Sequence, residues 1–114
     1  MENIQVSENI RNDLNKFTDA LRNTKEYVEY RRTAEAVDAK PELKERITNY
    51  RLMNYNLQQE MDPGVIAAKT EELERFYDEL EQDPVAAEFL DAEMTFCRMM
   101  QEVSLAIYAS MNFE

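Results

Sequence analysis

DPVAAEFLDAEMTFCRMMQEVSLAIYASM, running from Asp83 to Met111, holds no glycine and no proline after Pro84. Asp83 is a good N-cap, and Pro84 suits the first helical position, where a missing N–H costs nothing. The stretch therefore reads as one long helix. At 1.5 Å per residue it makes a rod of roughly 40 Å. A compact domain of 114 residues would be only about 27 Å across, so part of the rod calls for a partner. Val85, Phe89, Phe96, Met100, Val103 and Ile107 fall within one narrow arc at spacings of 4, 7, 4, 3 and 4, a coiled-coil-like seam. Leu90, Met94, Cys97, Tyr108 and Met111 make a second stripe beside it. Two surfaces need burying. One is assigned to the chain's own bundle and the other to a second copy in a homodimer, with Phe89, Phe96, Met100, Val103 and Ile107 as the candidate seam.

Upstream, Pro41, Pro63 and Pro84 punctuate the chain about every twenty residues, and between them apolar residues keep helical spacing. Ile10, Leu14, Phe17 and Leu21 line a first helix ending near Asn23. Thr24 caps a second, which carries Tyr27, Tyr30, Ala34 and Val37 until Asp38-Ala39-Lys40-Pro41 breaks it. Leu43, Ile47, Tyr50, Leu57 and Met61 mark a third, interrupted by the polar Asn54. Asp62-Pro63-Gly64 ends that helix and caps a fourth, lined by Ile66, Leu73, Tyr77 and Leu80. Its other face, Glu71, Glu72, Glu74, Asp78, Glu79 and Glu81, is acidic. The expectation is a single all-α domain over residues 1–114, an antiparallel bundle of about five helices with a long last one. At this length there is room for one core.

Composition narrows the function. The chain has no histidine, one glycine and one cysteine, Cys97. Missing histidine removes the ordinary proton shuttle and the Ser-His, Cys-His and Glu-x-x-His constellations. A lone glycine leaves no phosphate-cradling loop, and a lone cysteine leaves no internal disulfide or all-cysteine metal site. No catalytic, metal or cofactor residue is assigned. Cys97, among Met94 and Met100, reads as a small core hydrophobe. The start, Met1-Glu2-Asn3-Ile4, lacks a basic-then-apolar leader, and no run is long enough to span a membrane; a cytoplasmic protein is expected.

Net charge is −11 and lies almost wholly in the C-terminal half, where residues 61–114 carry thirteen acidic and three basic side chains. Such a surface repels phosphate backbones. Direct nucleic-acid contact is disfavoured; the alternative reading is an RNA-associated factor using Arg31, Arg32, Arg46 and Arg51. The acidic fourth helix, through Glu72, Glu74, Asp78 and Glu79, is the candidate surface for a protein partner, against the plainer reading of a solvated face. Glu71 and Arg75 are spaced for an ordinary helix pair. Glu93 differs from the other acids, because it projects into the apolar arc of the last helix one turn from Phe89 and Cys97. A buried carboxylate is costly unless paired, and Arg31, beside the stripe of the second helix, is its candidate partner, within one chain or across a dimer.

Two stretches carry a family resemblance. The first is Leu21-Arg22-Asn23-Thr24-Lys25-Glu26-Tyr27-Val28-Glu29-Tyr30 with Ala34, Asp38 and Leu43. The second is Asp83-Pro84-Val85, Phe89-Leu90-Asp91-Ala92-Glu93, then Met99-Met100-Gln101-Glu102-Val103 and Ile107. In order and spacing they resemble the YlbF/YmcA/YheA family of small helical bacterial proteins, and in length the chain is nearer the YheA branch. The resemblance implies a dimerising helical bundle that acts by protein contact rather than catalysis. It further implies YlbF-, YmcA- and YaaT-like proteins and ribonuclease Y as partners, with roles in messenger-RNA processing, competence, sporulation and biofilm formation. Cys97 lies mid-helix and does not match the C-terminal cysteines that YlbF contributes to iron–sulfur binding, so no cofactor is expected.

Overall fold

Four of the five helices start on a side chain that accepts a hydrogen bond from an orphan backbone N–H, the contact that fixes a helix N-terminus. Ser7 accepts from Ile10 N, Thr24 from Tyr27 N at 3.2 Å, Asp62 from Gly64 N at 2.9 Å and Asp83 from Val85 N at 2.9 Å. The exception begins after Lys40 with Pro41, whose fixed φ serves in place of a cap. The computed structural model describes residues 7–112, and the Met1–Ile4 start read above for a leader lies outside them. The helices are α1 Glu8–Arg22, α2 Lys25–Asp38, α3 Pro41–Gln59, α4 Pro63–Glu81 and α5 Pro84–Ser110. At the end of α5, Asn112 takes a left-handed φ of 52°, which asparagine tolerates better than most residues.

The helices form two antiparallel pairs. α2 packs most extensively on α5, and α3 on α4; contacts between the pairs are fewer, and α1 touches α2 only lightly. Aromatic rings join the first pair: Tyr30 stacks on Phe96 at 5.0 Å between centroids, Tyr27 meets Phe96 edge-on at 5.6 Å, and Tyr30 lies 6.0 Å from Phe89. Tyr50 does the same in the second pair, 6.3 Å from Phe76 and 5.5 Å from Tyr77.

The pairs share one core, formed by Val37, Leu43, Ile47, Leu80, Ala86, Phe89 and Leu90. These residues belong to the end of α2, the start of α3, the end of α4 and the start of α5, so the core sits where the short α2–α3 and α4–α5 connections meet. Lys40 and Asp83 tie those connections together at 3.7 Å. Thr33 is buried there too, and its hydroxyl donates to the carbonyls of Glu29 and Tyr30. Away from this end, large apolar side chains go uncovered on both pairs, among them Leu52 and Tyr55 on α3 and Leu105 and Ile107 on α5. The shape follows. The radius of gyration is 18.0 Å, against about 13 Å for a compact chain of this length, and the longest axis, 49 Å, accommodates α5.

Three expectations change. The α1 stripe exists, but no α1 residue is buried. Met61 lies beyond the end of α3 and is 89% exposed. Cys97, expected in the core, is exposed, because α2 covers the Phe96 side of α5 and none of the described residues covers the adjacent side.

Burial raises the phenol pKa of Tyr50 and of Tyr77, the latter also through Glu81. A raised pKa means that the fold favours the neutral phenol, so the contribution is intact below the ordinary value of 10.0 and is lost as pH climbs through the raised one. Thermal midpoints are expected to fall between about pH 9 and pH 11, and to fall less in a Tyr50→Phe/Tyr77→Phe variant. Equal losses in both proteins would show that these phenols do not govern alkaline stability.

Candidate functional site

The five seam residues on α5 lie on a gradient rather than in one environment. Phe89 is in the core, Phe96, Met100 and Val103 are half-buried, and Ile107 is 51% exposed. Met94, Leu105, Tyr108 and Met111 are likewise uncovered, as are Ile10 and Phe17 on α1. A helix this long has only α2, 14 residues, to lie against in its own pair. Apolar surface beyond that cover marks interaction sites in soluble proteins.

The acidic face of α4 is where the sequence put it: Glu71, Glu72, Glu74, Asp78 and Glu79 are all exposed. Among the described residues these five make no ion pair, and the expected Glu71–Arg75 pair does not form. The one cation of α4 that pairs among the described residues, Lys69, reaches Glu60, the residue just after α3, at 3.8 Å. The carboxyl of Glu60 is held below its ordinary value by the backbone N–H groups of Asp62 and Met61.

Glu93 has a partner, but within the chain it is Arg51 of α3 rather than Arg31. The Arg51 guanidinium also lies 5.6 Å from the Phe89 ring centroid, so charge pairing and cation–π attraction act on the same group. Arg31 stays on its own helix, 3.9 Å from Glu35. A signal for Arg51 was present in the sequence, since it follows Leu43 and Ile47 at successive four-residue steps and so belongs to the core-facing stripe of α3.

The arginines proposed for RNA are mostly engaged with carboxylates. Arg32 bridges Glu29 on α2 and Glu88 on α5, which holds Glu29 below the usual carboxylate range. Arg51 takes Glu93 and Arg31 lies near Glu35. Arg46 is half-buried, in a depression it shares with Lys40, Glu42 and Asp83. No basic face emerges from these four. Among the described residues, no group of three or more His, Cys, Asp or Glu side chains is placed to hold a metal ion, and no helix is long and apolar enough to cross a membrane.

The Arg51–Glu93 contact is partly solvated, with half of Arg51 and a quarter of Glu93 exposed, which places it among weak pairs. A double-mutant cycle of Arg51→Gln and Glu93→Gln in urea denaturation is expected to give a coupling of about 0.5 kcal/mol, whereas Arg31→Gln with Glu93→Gln gives none. Coupling to Arg31 instead would place the Glu93 partner in another copy of the chain.

No curated protein and no solved structure matches the chain. One family does, over residues 10–112, which takes in every helix but the first two residues of α1. The match is to the family as a whole and singles out no branch. That extent is decisive: the chain belongs to the family described as control of competence regulator ComK, YlbF/YmcA.

Proposed function

We propose that this protein is a non-catalytic cytoplasmic adaptor: it pairs with a second copy through the distal half of α5 and offers the acidic face of α4 to a basic protein partner. A regulatory role comes with the family; the adaptor mechanism is the reading that the surfaces support. The observation that carries it is the pattern of what the chain leaves uncovered. Apolar side chains run to the end of α5, and carboxylates that make no ion pair among the described residues line α4.

Each surface suits a different contact. Apolar area removed from water is the main drive for stable association. Exposed charge instead accelerates encounter and selects partners of opposite sign. Ribonuclease Y and YlbF-, YmcA- or YaaT-like proteins are the partners to test first, with messenger-RNA processing or developmental control as the process. An RNA-binding role through Arg31, Arg32, Arg46 and Arg51 draws less support, because three of the four lie against carboxylates.

The test is pull-down of purified ribonuclease Y and YlbF-, YmcA- and YaaT-like proteins by the tagged chain, beside a variant with Glu72, Glu74, Asp78 and Glu79 changed to Gln. Salt-sensitive capture that drops about tenfold in the variant is expected, a loss in keeping with four opposed charges. Capture unchanged by the variant would reduce the α4 face to solvated surface and end the adaptor reading as stated.

A further inference from the structure

Where α4 approaches α5 in front of α3, a groove of about 310 Å³ opens, lined by Tyr50, Leu73, Glu74, Tyr77, Asp78 and Met94. It lies between the two helix pairs, just outside the shared core. Its walls combine two chemistries. Tyr50 and Tyr77 present rings 5.5 Å apart and inclined at 44°, and Met94, 54% exposed, adds an adaptable thioether flank. Glu74 and Asp78 stand one helical turn apart on α4, both exposed and, among the described residues, without an ion pair. Like charges at this spacing repel. Glu81 and Asp91 also act on Tyr77, so carboxylates approach from α5 as well as from α4.

We propose that this groove receives an arginine side chain from a basic segment of a protein partner, the aliphatic stem lying over the tyrosine rings and the guanidinium reaching Glu74 and Asp78. The proposal deepens the adaptor reading and rests on it. Charge complementarity selects a cation, and the two rings select the planar, stacking guanidinium over an ammonium. The fold already holds one arginine this way: Arg51 lies over Phe89 while pairing with Glu93. The groove offers the same ring-plus-carboxylate chemistry, and among the described residues no cation pairs with its carboxylates.

The experiment is an amide NMR titration of the full chain with a hexa-arginine peptide, with hexa-lysine for comparison. Shifts are expected to concentrate at Tyr50, Leu73, Glu74, Tyr77, Asp78 and Met94, with hexa-lysine binding several-fold more weakly. Glu74→Gln/Asp78→Asn should lower affinity about tenfold, and Glu71→Gln/Glu72→Gln, the same loss of charge outside the groove, by less than about twofold. Met94→Lys, at an exposed position, places a cation of the chain's own in the groove and should likewise block the peptide. Equal losses in the two double variants, shifts spread over the whole of α4, or no shifts at the groove because a second copy fills it, would overturn the proposal. If the four-carboxylate variant loses its partner while the groove stays silent, the adaptor face stands and the arginine site falls.

Discussion

Helix α5 is longer than the described helices that lie against it, and the rest of the structure is arranged around that constraint. Its first turns close the core with Ala86, Phe89 and Leu90. Its middle is held by the rings of Tyr27 and Tyr30 against Phe96. Beyond Val103 it continues with apolar side chains that no other helix of the chain buries. Aromatic packing of this kind contributes about 0.5–1.5 kcal/mol per pair beyond the area it buries, and three of the five ring contacts lie on the α2–α5 seam. Loss of that seam would free the middle of α5 from the helix it packs on most extensively, leaving the Arg51–Glu93 contact to α3.

The proposed function rests on surfaces. No histidine and one glycine leave little material for a catalytic centre. What the fold displays is an apolar rod end, an acidic helix and a tyrosine-lined groove between them. In the proposed reading these serve recognition, in keeping with a family described as control of a regulator. The distribution of charge matters as well: most cations lie in α1 to α3, where several are matched to carboxylates, and the surplus of acid lies on α4 and α5, facing outward.

Helix boundaries were legible because their chemistry is local. Thr24, Asp62-Pro63 and Asp83-Pro84 each combine a side-chain acceptor or a fixed φ with the start of an apolar stripe, and each opens a helix within a residue of where the sequence put it. Burial was less legible, because it depends on which helix lies opposite. The stripes of α1 and α5 have the same periodicity as those of α3 and α4, yet Ile10 and Ile107 remain exposed where Leu43 and Leu80 are covered. Cys97 failed for that reason, since a residue inside an apolar arc is buried only if something lies over that side of it. Glu93 projects into an apolar arc by its spacing alone, but its partner depends on which helix lies opposite: the sequence pointed to Arg31, and the fold brings Arg51 of α3 to α5 at that height.

The central claim, that α5 exposes a surface made for a second copy, is tested most directly by sedimentation equilibrium of the full chain beside a Leu105→Glu/Ile107→Glu variant. The account predicts twice the monomer mass of 13.5 kDa at about 50 µM, a concentration at which a stable dimer is populated by mass action, with the variant at the monomer mass and its helical circular dichroism unchanged. A wild-type chain that sediments as a monomer throughout, or a variant that dimerises as well as the wild type, would contradict it.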